Sequence, residues 1–127
     1  MSKLFKRTAI AEMGHVELLA ERILFLKGDV TMTTSGPIET ITAPEGILAK
    51  AMSMEHASAS SYNTAAISCG ANADAVSKKI FETLVGDEEG HYDQFEKQCE
   101  NIKRFGPSYL ALQSFDAGSL GAMPVAD

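Results

Sequence analysis

The feature that most constrains this chain is a glutamate placed where a buried apolar stripe should be unbroken, once in each of three predicted helices. Read at seven-residue steps, the first helix gives Phe5, Glu12, Leu19 and Leu26. The second gives Leu48, Glu55, Tyr62 and Cys69, and the third gives Phe81, Glu88, Phe95 and Ile102. A second stripe on the third helix, Leu84, His91, Gln98 and Phe105, turns His91 inward as well. A lone buried carboxylate costs several kcal/mol or takes up a proton. Three at similar depth need a shared reason, and a bound polyvalent cation is the simplest.

The helices follow from spacing and stop signals. Phe5, Ala9, Val16, Leu19, Ile23 and Leu26 predict a helix over 3–27, ending at Lys27-Gly28. Residues 29–43, rich in Thr and holding Gly36-Pro37, read as a loop with some extended character. The second helix is expected from Pro44, behind a capping box Thr42-Ala43-Pro44-Glu45, to Cys69. The third is expected from Asn72 or Ala73, with Asp74 in its first turn, to Phe105 before Gly106-Pro107. A short amphipathic helix, Ser108–Phe115, follows. Residues 1–115 thus read as one domain and 116–127 as a tail, in keeping with a length of 127.

Loop lengths set the topology. About two residues join the second and third helices, which makes them an antiparallel hairpin. The linker after the first helix can reach about 50 Å when extended. The first helix is only about 38 Å long, so the linker can return along all of it and leave helices one and two parallel. The expectation is an all-α bundle with a long crossover: three long helices and a short C-terminal one.

The spacing also suggests the kind of site. Glu12-Met13-Gly14-His15 and Glu88-Glu89-Gly90-His91 are both Glu-x-x-His, and residues at i and i+3 share a helical face. Two such pairs plus glutamates from other helices make the di-iron or di-manganese site of carboxylate bundles. Carboxylate and imidazole suit iron or manganese, whereas zinc more often recruits thiolate. A single Glu-x-x-His means little, and Glu89, Glu96 and Glu100 read as solvated. His56 lies about 100° around the helix from Glu55 and reads as a surface or outer residue. Tyr62 reads as core rather than a redox relay. Gly86 and Gly90 would permit close packing or a local bulge.

Charge and cysteines exclude other classes. The net charge of −6 disfavours nucleic acid and anionic membranes, and suits cations. No apolar run nears the roughly 18–20 residues of a membrane span, and no signal-peptide pattern opens the chain, so the default compartment is the cytoplasm. Cys69 and Cys99 fall roughly 40 Å apart along the helices, too far for a disulfide.

These segments resemble bacterioferritins. Glu12-Met13-Gly14-His15, running into Glu21-Arg22-Ile23-Leu24-Phe25-Leu26-Lys27-Gly28, resembles the family's second helix. Asp87-Glu88-Glu89-Gly90-His91-Tyr92-Asp93, with Glu96 beyond, resembles the fourth, and the stretch around Met54-Glu55 resembles the third. The resemblance covers roughly residues 4–115. It implies a ferritin-like four-helix bundle that oxidises Fe(II) with O2 or peroxide and stores ferric mineral in a hollow homo-oligomer. It implies an iron centre of Glu12, His15, Glu55, Glu88 and His91, with Glu12 and Glu88 bridging and Glu55 terminal. It implies a b-type or related haem held by Met13 across a twofold interface, with Gly14 leaving room, and a ferredoxin-type reductant. The family's bundle also has a helix ahead of the first one here, bearing a sixth ligand and part of the haem pocket. The alternatives are a rubrerythrin-like di-iron peroxidase and a non-enzymatic haem-carrying or structural subunit with an incomplete metal site.

Overall fold

The computed structural model describes residues 1–121. Helix α1 spans Ser2–Phe25, α2 Pro44–Ala71, α3 Ala75–Phe105 and α4 Pro107–Gly121, with no strand among the described residues. Part of the expected tail is therefore helical, since α4 runs beyond Phe115. Residues 122–127 lie outside the described residues.

The helix ends show which local signals acted. At the start of α2 Pro44 occupies the first turn, but Ala43 is the N-cap and no side chain caps it, so the expected capping box does not form. Asp74 is itself the N-cap of α3, and its carboxylate accepts the Ser77 backbone N–H at 3.0 Å. α1 and α2 both close with paired backbone bonds, from Gly28 N–H to Ile23 O and Lys27 N–H to Leu24 O, and from Asp74 N–H to Cys69 O and Ala73 N–H to Gly70 O. This pattern needs a left-handed residue just past the helix. Lys27 (φ 64°) and Ala73 (φ 57°) take that place rather than a glycine. Gly106, at φ 69°, lets the chain turn between α3 and α4.

Contacts between helices fix their directions. The turn after Ala71 folds α3 back antiparallel on α2, so Met52 meets Cys99, His56 meets Tyr92, and Tyr62 meets Phe81. α1 is also antiparallel to α3. Phe5, near its start, stacks on Phe95 at 5.0 Å, and Arg22, near its end, donates to Ser77 Oγ and Asp74 Oδ1 at 2.8 and 2.9 Å. Helices α1 and α2 therefore run parallel, joined by the long crossover. They are diagonal neighbours, with no Cα of one within 8 Å of a Cα of the other.

At one end the core is Leu4, Leu48, Phe95 and Ile102. Tyr109 pins α4 there: its hydroxyl donates to Gln98 Oε1 and accepts from Asn101 and Gln113 side-chain amides. The seven-step stripes of α2 and α3 are buried or half-buried, except that Phe105, the last member of the second α3 stripe, is exposed. On α1 the deepest residues are instead Leu4, Thr8 and His15, while Val16, Ile23 and Leu26 of the expected stripe are exposed. Along its length α1 lies nearest α3, sharing with α2 the core around Leu4 and Leu48 and the glutamate cluster, so its buried face is rotated toward α3. Cys69 and Cys99 are free thiols, and burial pushes the Cys99 thiol up, keeping it protonated. Among the described residues, no helix is long and apolar enough to cross a membrane.

Candidate metal centre

Mid-way along the bundle, the three stripe glutamates converge. Glu12 of α1, Glu55 of α2, and Glu88 and His91 of α3 bring ligand atoms within 4.8 Å of one another. Glu55 is buried, and Glu88 is 1% exposed. His15, the fifth residue expected here, borders this group. Its Nδ1 lies 3.3 Å from Glu12 Oε2 and 3.0 Å from Glu88 Oε1. His91 Nδ1 lies 3.0 Å from Glu12 Oε1 and 3.7 Å from Glu55 Oε2. The two imidazoles lie nearly parallel at 6.0 Å and both turn Nδ1 toward the carboxylates.

The electrostatics of this group are unbalanced on its own. Glu12 Oε1, both Glu88 oxygens and His91 Nδ1 are buried. Although the imidazole nitrogens approach Glu12 Oε1 and Glu88 Oε1 to 3.0 Å, those approaches lack hydrogen-bond geometry and leave all four atoms unsatisfied. A buried polar atom without a partner costs about 1–3 kcal/mol, more if charged. Burial first, then the neighbouring Glu55 and Glu12 carboxyls, pushes Glu88 up to about 9. Three acids and two imidazoles so arranged offer several lone pairs to one small volume, and a divalent cation satisfies them together. The donor set thus fits iron or manganese.

One residue that matters here was not singled out by spacing. Asp87 Oδ2 lies 3.0 Å from His15 Nε2, on the ring edge away from the carboxylates. Such a carboxylate takes the outer N–H and fixes which nitrogen faces a metal. The available signals were its position directly before Glu88 and its place at the head of the Asp87–Asp93 segment that carries the resemblance. Tyr62 is half-buried, and its hydroxyl is pushed up by burial and then by the charges of Glu88, Glu12 and Glu55. His56 is exposed and packs against Tyr92 with centroids 6.5 Å apart.

On the outer face of α1, Met13 is 61% exposed. A Cβ added at Gly14 would meet nothing within 4 Å. Ile10, one turn before Met13, and Leu24, three turns beyond it, share this exposure on the same face, with Glu17 between them.

A family described as Ferritin-like domain matches residues 1–105. The chain is 38% identical over 112 residues to a bacterioferritin of Rhodobacter capsulatus, covering 88% of this chain and 70% of the other. A bacterioferritin of Desulfovibrio desulfuricans is 33% identical over 106 residues, covering 84% of this chain and 59% of its own. Among solved structures, the Rhodobacter capsulatus bacterioferritin, with a metal-free dinuclear site and a haem iron, superposes with a TM-score of 0.83 at 37% identity, over 89% of this chain and 71% of that one. The Desulfovibrio desulfuricans bacterioferritin, solved with its di-iron site in different catalytic states, gives a TM-score of 0.80 at 33% identity, over 84% and 62%. The chain spans 59% to 70% of the length of these two curated relatives.

Proposed function

Because this chain belongs to the ferritin family and, within it, to the bacterioferritins, we propose that it oxidises Fe(II) at a di-iron centre and contributes to ferric mineral storage in a hollow homo-oligomer. The observation that carries this reading is the buried convergence of Glu12, Glu55, Glu88 and His91 with partnerless oxygens and nitrogen. Glu12 and Glu88, reaching in from α1 and α3, are the bridging candidates. Glu55, His15 and His91 would be terminal.

Bound there, two irons would supply electrons to O2 or peroxide. The chain's own residues prepare that chemistry. Asp87 accepts the Nε2 proton of His15, which leaves the Nδ1 lone pair facing Glu12 and Glu88. Glu88, held protonated near neutral pH by burial and its carboxylate neighbours, is placed to hold metal as the carboxylate, and bound cations would offset the local cost of its charge. The test is Fe(II) oxidation by Glu12→Ala beside the parent. The reading expects a loss of about 10²-fold or more in rate, the scale of removing one electrostatic stabiliser. Equal rates would contradict it.

The reading extends to haem. Exposed Met13 beside the open space at Gly14 fits a thioether ligand at a twofold interface between copies, and exposed Ile10 one turn before it fits a porphyrin face. Met13→Leu is expected to displace or abolish the Soret band of haem-loaded protein, and an unchanged band would contradict this assignment. A ferredoxin-type reductant and a cytoplasmic location complete the proposal.

A further inference from the structure

The buried carboxylates are approached by two open grooves of unlike character. One, of about 430 Å³, lies between α1 and α2 and reaches Glu12 and Glu55. Its walls include Phe5, Ile47, Met54 and Phe95, and at its rim the Lys50 ammonium lies 3.3 Å from Glu39. The other, of about 510 Å³, lies between α2 and α3 and reaches Glu55 and Glu88. Its walls carry His56, Asn63, Glu89 and Tyr92.

The second groove follows from two pairs of consecutive residues. In Glu55-His56 and in Glu88-Glu89, one side chain turns into the bundle and the next lies about 100° around the helix. Because α2 and α3 are adjacent and antiparallel, both outward members, His56 and Glu89, fall on the same groove. At its bottom is Glu88, 1% exposed, with neither carboxylate oxygen hydrogen-bonded. A hydrated divalent cation sheds water only where other ligands replace it. The α1–α2 groove is walled largely by hydrocarbon, and its rim carboxylate, Glu39, is already paired with Lys50, whereas the α2–α3 groove offers an imidazole, a carboxylate and an amide on the way to an unsatisfied carboxyl.

We propose that Fe(II) reaches the centre through the α2–α3 groove, with His56 and Glu89 as transit ligands that take the cation before Glu55 and Glu88 do. The proposal rests on the di-iron reading above. It involves only ligand exchange: water leaves the cation as imidazole nitrogen and carboxylate oxygen replace it, with no change of oxidation state.

Co(II), loaded anaerobically into the full chain and followed by its visible absorption in stopped flow, tests the route. Both transit residues are exposed, so the double variant His56→Ala/Glu89→Gln should fold as the parent does. It is expected to load about tenfold or more slowly than the parent, the low end of the gain a cation-attracting cleft provides, and to reach the same final absorbance. Met54→Gln, in the α1–α2 groove, is expected to leave the rate unchanged. If the double variant loads at the parental rate, or Met54→Gln is the slow one, the route is overturned while the centre stands. If the parent shows no Co(II) band that Glu55→Ala removes, the centre itself is overturned, and the route with it.

Discussion

At the scale of residues, Glu88 shows how this site costs stability when no metal is bound. Its carboxyl is raised to about 9 in the folded protein, against an ordinary value near 4.5. Below the ordinary value folded and unfolded chains are both protonated, and its contribution is fully present. Between the two values the folded state holds a proton that the unfolded chain has lost, so stability falls as pH rises toward about 9. Metal-free protein is therefore expected to show a urea midpoint that declines from pH 5 to pH 9, and Glu88→Gln is expected to flatten that decline. A midpoint rising over this range in the parent would contradict the assignment. The residues at this scale were largely legible. Heptad steps alone pick out Glu12, Glu55 and Glu88, and a neighbouring stripe picks out His91. Asp87 was not, because its partner His15 is 72 residues away and only the fold brings the two together.

At the scale of elements, apolar period and stop signals placed the three long helices to within about two residues, since propensity and pattern agree along each of them. The ends were less legible, because they depend on backbone closure rather than on residue type. Lys27 takes the left-handed position that Gly28 was expected to serve, and Ala73 does the same after α2. A non-glycine residue there costs about 1–2 kcal/mol, partly offset by the extra freedom glycine has in the unfolded chain. Ala73→Gly is thus expected to stabilise the protein by about 0.5–1 kcal/mol, measured by urea unfolding. The neighbouring helix start is held by Asp74, whose carboxyl is kept below its usual range by Ser77 and then Arg22. That cap also fixes the end of α1 against α3, through a contact whose partners lie 52 residues apart and are invisible to local reading.

At the scale of the molecule, linker length constrains the arrangement of α1 and α2. A chain that must travel a full helix length before α2 begins can leave α1 and α2 parallel. That parallel option was readable from residues 29–43, while the diagonal placement emerges only in the fold. The rotation of α1 was not, because spacing alone does not show which neighbour a stripe will meet. With α3 as its nearest long neighbour, Val16, Ile23 and Leu26 face outward, and the groove between α1 and α2 stays open over Glu12 and Glu55. The same geometry leaves Met13 on an outer face suited to a second copy. Everything proposed for the whole molecule, oxidation and storage alike, depends on whether metal occupies the point where the three stripes meet. Anomalous diffraction at the iron edge, from crystals soaked in Fe(II), tests that most directly. A pair of iron peaks bounded by Glu12, Glu55, Glu88, His15 and His91, and missing from Glu88→Ala crystals, is the result expected. Iron found only on the surface acids, with the buried carboxylates unligated, would contradict the account.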